Sequence, residues 1–239
     1  MNPNSDIRTV MYKKIVYYII VMEEHQEIDS LLHMVITEDM TNFDLSYKLI
    51  IIGETGVGKS CLMLRGTKDE FREDHDVTIG VEYGSFSLKI RDKSVKIYIW
   101  DTAGQETFQS IAKVFYKGSQ CIFLVYDMTI ESSFAKLSTW LKEIRETASV
   151  NAMIILVGNM LDLEQRRAVS REKALEFQRK EKLDGFFETS AKSGANVQDL
   201  FARAAKMLFL RDKEKNGMQT KESIKIVRTQ AKLRRRCAC

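Results

Sequence analysis

Gly53-Glu54-Thr55-Gly56-Val57-Gly58-Lys59-Ser60 sets glycines, a lysine and a hydroxyl at the spacing G-x-x-x-x-G-K-[ST]. Glycines let the backbone bend until successive N–H groups face one anion. Lys59 can reach the β- and γ-phosphates of a nucleotide, and the Ser60 hydroxyl is placed for Mg²⁺. The apolar run Tyr47-Lys48-Leu49-Ile50-Ile51-Ile52 precedes the loop, and Ser60 to Leu64 are helix-compatible. Strand, glycine loop and helix start together make a phosphate-binding loop, because the helix N-terminus adds free N–H groups and a positive dipole end. A second motif, Asp101-Thr102-Ala103-Gly104-Gln105, ends another apolar run. An Asp there can hold Mg²⁺, the Gly104 N–H can approach a γ-phosphate, and Gln105 can orient an attacking water.

The elements that must position these groups alternate regularly. Strand-like runs fall at 47–52, 81–90, 94–100, 120–126, 153–158 and 186–189, with Arg91-Asp92-Lys93 as a hairpin turn between the second and third. Amphipathic helix-like runs fall at 60–66, 107–116, 131–147, 170–182 and 196–210. Phe134, Leu137, Leu141 and Ile144 recur at helical steps as one buried stripe. Strand–helix alternation implies an α/β fold with a mostly parallel sheet covered on both faces. Ligands of such sheets sit at the carboxyl ends of the strands, where the first glycine loop falls.

Bulk properties narrow the function. The 239 residues carry a net charge of +4, but ten basic and three acidic residues lie between Arg211 and Cys239. The body is therefore mildly acidic, which argues against a nucleic-acid partner. Cys61 and Cys121 read as small buried hydrophobes, and a reducing compartment is expected. No apolar run reaches the roughly 18 residues of a membrane-spanning helix. Lys13-Lys14 followed by the apolar run 15–22 superficially resembles a secretory signal, but no small-residue cleavage site follows.

From about Leu45 to Leu210 and at the extreme C-terminus, the chain resembles a small Ras-superfamily GTPase, and within that superfamily a Rab. Ile79-Gly80-Val81-Glu82-Tyr83, Lys96-Ile97-Tyr98-Ile99-Trp100, Phe115-Tyr116-Lys117-Gly118 and Leu124-Val125-Tyr126-Asp127-Met128-Thr129 look like Rab-specific segments. The resemblance implies the P-loop NTPase three-layer fold, with a six-stranded, mostly parallel sheet, one antiparallel strand and helices on both faces. It implies a slow, partner-stimulated GTPase that binds GTP/GDP and Mg²⁺ and acts as a switch in vesicle traffic. Gly53, Thr55, Gly56, Val57, Gly58, Lys59, Ser60 and Cys61 would line the phosphates, and Phe71 would flank the guanine. Ser60, Thr78 and Asp101 would serve Mg²⁺, Gly104 the γ-phosphate and Gln105 the catalytic water. Asn159 and Asp162 would read the base, with Asp162 accepting from guanine N1 and N2, donors that adenine lacks. In Thr189-Ser190-Ala191-Lys192, the Ala191 N–H would meet guanine O6 and Lys192 would cover the base. Effectors would use 71–83 and 101–117. An exchange factor, a GTPase-activating protein, a GDP-dissociation inhibitor and prenylation machinery would be the other partners.

Two departures stand out. The family has Asn-Lys-x-Asp where this chain has Asn159-Met160-Leu161-Asp162, and Met160 lacks the lysine's donor. Weaker nucleotide binding, or a nucleotide-poor scaffold, is the expectation from that change. Gly66 replaces an apolar residue, and an early helix stop is expected there. Residues 1–44 form an extension of unassigned role, 45–211 the GTPase domain and 212–239 a basic tail. The tail ends Arg234-Arg235-Arg236-Cys237-Ala238-Cys239. Its Cys-x-Cys end resembles a double-prenylation site at Cys237 and Cys239. Two lipids beside an Arg cluster would hold the protein on the cytoplasmic face of an intracellular membrane, cycling with the cytosol.

Overall fold

The alternating register of the first strand explains the layering. Leu49 and Ile51 pack into one apolar cluster, while Ile50 and Ile52 pack into another on the opposite face. A strand buried on both sides reads as a continuous apolar run, because neighbouring side chains point to opposite faces. The computed structural model describes residues 42–73, 78, 80–104 and 109–214, with the backbone alone at 109–112. The expectations for the extension 1–41, for Gln105 and for Cys237 and Cys239 lie outside the described residues.

Six strands form one sheet: β1 (Leu45–Gly53), β2 (Val81–Ile90), β3 (Lys93–Thr102), β4 (Cys121–Asp127), β5 (Met153–Asn159) and β6 (Gly185–Glu188). Their spatial order is β2-β3-β1-β4-β5-β6. Only the β2–β3 pair is antiparallel, closed by Arg91-Asp92 with Arg91 at φ 57°. This is the α/β fold that the sequence implied. The helices are α1 (Lys59–Lys68), α2 (Gln109–Tyr116), α3 (Glu131–Ala135), α4 (Leu137–Thr147) and α5 (Arg171–Lys180), followed by α6 at 197–214. α1 and α6 cover one face of the sheet, and Phe134, Leu137, Leu141 and Ile144 of α3 and α4 belong to the cluster on the other.

Several elements differ from the sequence reading. The run 131–147 is not one helix: it breaks at Lys136, between α3 and α4. A 3₁₀ helix, Leu161–Arg166, follows β5 and carries no apolar period that could have announced it. The domain takes in residues before Leu45, since the Asp44 N–H donates to Ser94 O at 2.8 Å and its carboxylate accepts from the Ser94 N–H. At the other end α6 runs past 211, and burial together with the nearby Asp212 carboxylate raises the pKa of the Tyr47 hydroxyl.

Gly66 does not stop α1, which closes three residues later at Asp69, a left-handed residue whose N–H caps Arg65 O. Its role is close packing. A Cβ at Gly66 would lie 2.3 Å from Cε2 of the Phe201 ring. That ring is buried edge-on between Phe86 and Phe123, with centroids 5.7 and 5.2 Å away, so it has no room to retreat. Gly66→Ala gains about 1 kcal/mol of helix propensity and loses about 1–3 to overpacking. Differential scanning calorimetry should therefore show Tm lowered by a few degrees, on the order of 2–5 °C; an unchanged Tm would mean the ring yields.

Candidate functional site

β1 pairs with β3 on one side and β4 on the other, so the chain reverses its direction of travel across the sheet at the carboxyl end of β1. That is where an open α/β sheet offers a crevice. The segments following β1, β3, β5 and β6 gather there around a cavity of about 410 Å³. Thr55, Gly56, Gly58, Lys59, Ser60 and Cys61 line one end; Phe71, Asn159, Asp162, Ala191 and Lys192 line the other, with Thr78 and Gly104 also on the wall. Of the expected residues, Gly53, Val57, Asp101 and Ser190 stand behind this wall. Gly53 ends β1 against the Val125 carbonyl, and Val57 is buried in the core.

The phosphate end is built by close backbone approach. Gly58, at φ 86°, caps α1, and a Cβ there would lie 2.4 Å from Asn159 Nδ2. A Cβ on Gly104 would lie 2.4 Å from the Thr55 nitrogen and 2.7 Å from Lys59 Nζ. Only glycine lets the strand-end loop sit on the phosphate loop this way. Lys59 is buried, and its ammonium donates to the Glu54 carbonyl at 2.8 Å. Burial pulls its pKa below the ordinary lysine value, while the Asp101 and Glu54 carboxylates pull the other way. Glu54 in turn is paired with Lys136, the residue at the break between α3 and α4, at 2.8 Å.

Three hard oxygen ligands converge beside Lys59. Ser60 donates to Asp101 Oδ2, so the Thr78 hydroxyl donates to Ser60 at 2.8 Å. Asp101 is buried, and its Oδ1 has no hydrogen-bond partner among the described residues. Burial raises its pKa to about 6, against the Ser60 hydrogen bond and the Lys59 charge, which lower it. A buried carboxylate with an orphaned oxygen and two hydroxyls in contact fits Mg²⁺, which takes few protein oxygens and completes its shell with water and phosphate. Mg²⁺ bound here would offset phosphate charge.

The base end is held by side-chain bonds to backbone. Asn159 donates from Nδ2 to Val57 O at 2.9 Å, and its Oδ1 accepts from Thr189 Oγ1 at 3.3 Å and the Ala191 N–H at 3.2 Å. It thus ties the phosphate loop to the 189–192 turn, and the Ala191 N–H expected at O6 is directed to it in this structure. Ser190 donates to Asp162 Oδ1 at 2.5 Å, so its role is to fix that carboxylate. Met160 stands at φ 71° and heads the 3₁₀ helix; its Cε lies 3.4 Å from the place of a Gly58 Cβ, so the thioether packs on the phosphate loop. Lys192 pairs with Glu73 at 2.7 Å across the mouth, a hydrogen-bonded contact that raises the lysine pKa and lowers that of the glutamate. Arg72, Glu73 and Leu163 also line the cavity, and nothing in their local sequence marks them.

The cavity therefore brings the glycine loop, a cluster of oxygen donors that fits a divalent cation and the Asp162 carboxylate into one crevice. Residues 48–209 match the family model described as Ras family, which covers more than half of the chain. The chain belongs to the Ras family of small GTPases, whose members bind GTP or GDP with Mg²⁺ and act as molecular switches.

Proposed function

We propose that this Ras-family protein is a Rab-like switch of vesicle and membrane traffic. What carries the reading is the meeting of Thr78 and Gly104 at Ser60 and Lys59: one residue from each of two switch segments, 71–83 and 101–117, touches the phosphate loop. A γ-phosphate with Mg²⁺ holds such segments in order, and hydrolysis releases them. Gln105 orients the attacking water, and an arginine from an activating partner raises the slow intrinsic rate by ~10³–10⁵. Effectors read the ordered segments. A partly exposed aromatic row supports this: exposed Tyr83 packs against half-buried Tyr98 and Trp100, and exposed Phe43 meets Tyr98 edge-on. The Arg-rich tail, ending at Cys237 and Cys239, supports lipid anchoring on a cytoplasmic membrane face, with a dissociation inhibitor returning the protein to the cytosol.

Mass spectrometry of the native protein tests this reading by weighing bound nucleotide and C-terminal lipids together. Guanine nucleotide and two prenyl groups are expected. An unlipidated C-terminus in cells with active prenylation removes the membrane role, and absence of guanine nucleotide removes the switch.

Met160 favours one alternative, a binding scaffold that holds nucleotide loosely. A lysine at 160 would extend from the same unbranched, left-handed position over Gly58 and give the phosphate-loop backbone a charged donor. Met160→Lys should slow mant-GDP release by about 5–10-fold, the worth of one such hydrogen bond. An unchanged rate would show that the thioether already supplies what the site needs. Single-turnover GTP hydrolysis by the native protein decides between switch and scaffold.

A further inference from the structure

Arg65 lies outside the cavity, yet it bonds Ala191 and Lys192, which line its base end. It projects from α1, and its side chain is only 15% exposed. Nε donates to Ala191 O at 2.9 Å and Nη2 to Lys192 O at 3.0 Å. Nη1 donates to Asp69 O at 2.8 Å and to Asp69 Oδ1 at 3.0 Å. The guanidinium fork thus spans two successive carbonyls of the base-reading turn on one side and the C-cap of α1 on the other. The Arg65 carbonyl accepts from Gln198 Nε2 at 3.2 Å, and a Cβ on Gly194, at φ 81°, would lie 3.7 Å from Arg65 Cδ, so the turn leaves the arginine stem its space.

We infer that Arg65 is a positioning residue for base recognition and sets the residence time of guanine nucleotide. The inference rests on the reading that the base lies between Asp162 and the 190–192 turn. Ser190 fixes the Asp162 carboxylate and also accepts the Ser193 N–H at 3.0 Å. With the Ala191 carbonyl anchored, Ser190 and Asp162 hold one geometry. With it released, the carboxylate loses its support. The same fork links base recognition to the segment leading into Phe71 and Glu73, since Asp69 is where α1 ends and that segment begins. Arginine suits the task because its planar group donates along several fixed directions at once, which a lysine ammonium cannot do.

Arg65→Gln should speed mant-GDP release by about tenfold, the equivalent of one to two net hydrogen bonds. The diagnostic readout is preference for GDP over IDP, which lacks the exocyclic amine that faces Asp162. That preference should fall about threefold or more, because the carboxylate is displaced, whereas a merely weakened fold lowers both affinities alike. Arg65→Lys keeps the charge and stem and should fall between the native protein and Arg65→Gln; it also stands in if Arg65→Gln does not fold. Release within twofold of native in both variants, or faster release with the GDP/IDP preference intact, overturns the inference. Failure of the native protein to prefer GDP over ADP would instead overturn the reading of the site itself.

Discussion

Asp162→Asn should exchange guanine for xanthine as the preferred base. Guanine bound as proposed would turn two donors, N1–H and the C2 amine, toward Asp162, and a carboxylate accepts both. Xanthine keeps N1–H but carries a carbonyl at C2, so it needs one acceptor and one donor, which an Asn amide supplies. In the native protein Ser190 holds Asp162 Oδ1 at 2.5 Å, and the residue lines the cavity from the first turn of the 3₁₀ helix. The amide is isosteric, so position is preserved and only the donor pattern changes. GDP loses a charge-assisted bond and meets a donor facing a donor, a loss on the order of 3–4 kcal/mol, or ~10²–10³ in affinity. XDP gains by the converse, so the relative preference should move by ~10³ or more; sites that bond a particular group discriminate at this level. Competition of mant-GDP by GDP, XDP and ADP reads the result. If GDP affinity is unmoved, or XDP gains nothing, Asp162 does not read the base, and the case for GTP over ATP loses its chemical ground.

Much of the site was legible because its parts are short and lie in chain order. The glycine loop needs only eight consecutive residues, and Asp101 and Gly104 sit at the end of an apolar run. The two-face burial of β1 is visible as an unbroken apolar stretch, and the α3–α4 stripe as a helical period. The residues that hold these parts together were not legible. Arg65 meets the Ala191 carbonyl 126 positions away, and Asn159 meets the Val57 carbonyl 102 positions away. Asn159 could be singled out by its motif, although its bonds could not. Arg65 has no motif, and a lone arginine on a helix reads as solvated. Gly66 misled because a helix glycine usually signals a stop, whereas here a distant ring, Phe201, occupies the space of its side chain. Nor does the helical period show the break at Lys136, the residue that pairs with Glu54 of the phosphate loop at 2.8 Å.

Lys59→Met should leave the protein folded while sharply weakening its hold on nucleotide. The native ammonium is buried between the Glu54 carbonyl and the loop carrying Gly104, with the Asp101 and Glu54 carboxylates as opposite charges acting on it. Burial disfavours that charge and lowers its pKa. A phosphate bound in the cavity would give this buried cation the further opposite charge that burial calls for. Methionine has nearly the same length and no charge, so it fills the space, and its cost to the fold is one carbonyl left without a donor. Removing one partner of a buried, hydrogen-bonded charge pair costs about 2–5 kcal/mol of binding. GDP affinity should therefore fall by about 30-fold or more. Isothermal titration with GDP and Mg²⁺ measures the loss, and circular dichroism with a thermal melt of nucleotide-free protein checks that the fold persists. The split between the two measurements is the informative result. Loss of both would make Lys59 a structural residue, and retention of GDP within threefold of native would place the phosphates elsewhere. A lost affinity on an intact fold means that the buried lysine of the glycine loop meets the phosphates of the nucleotide.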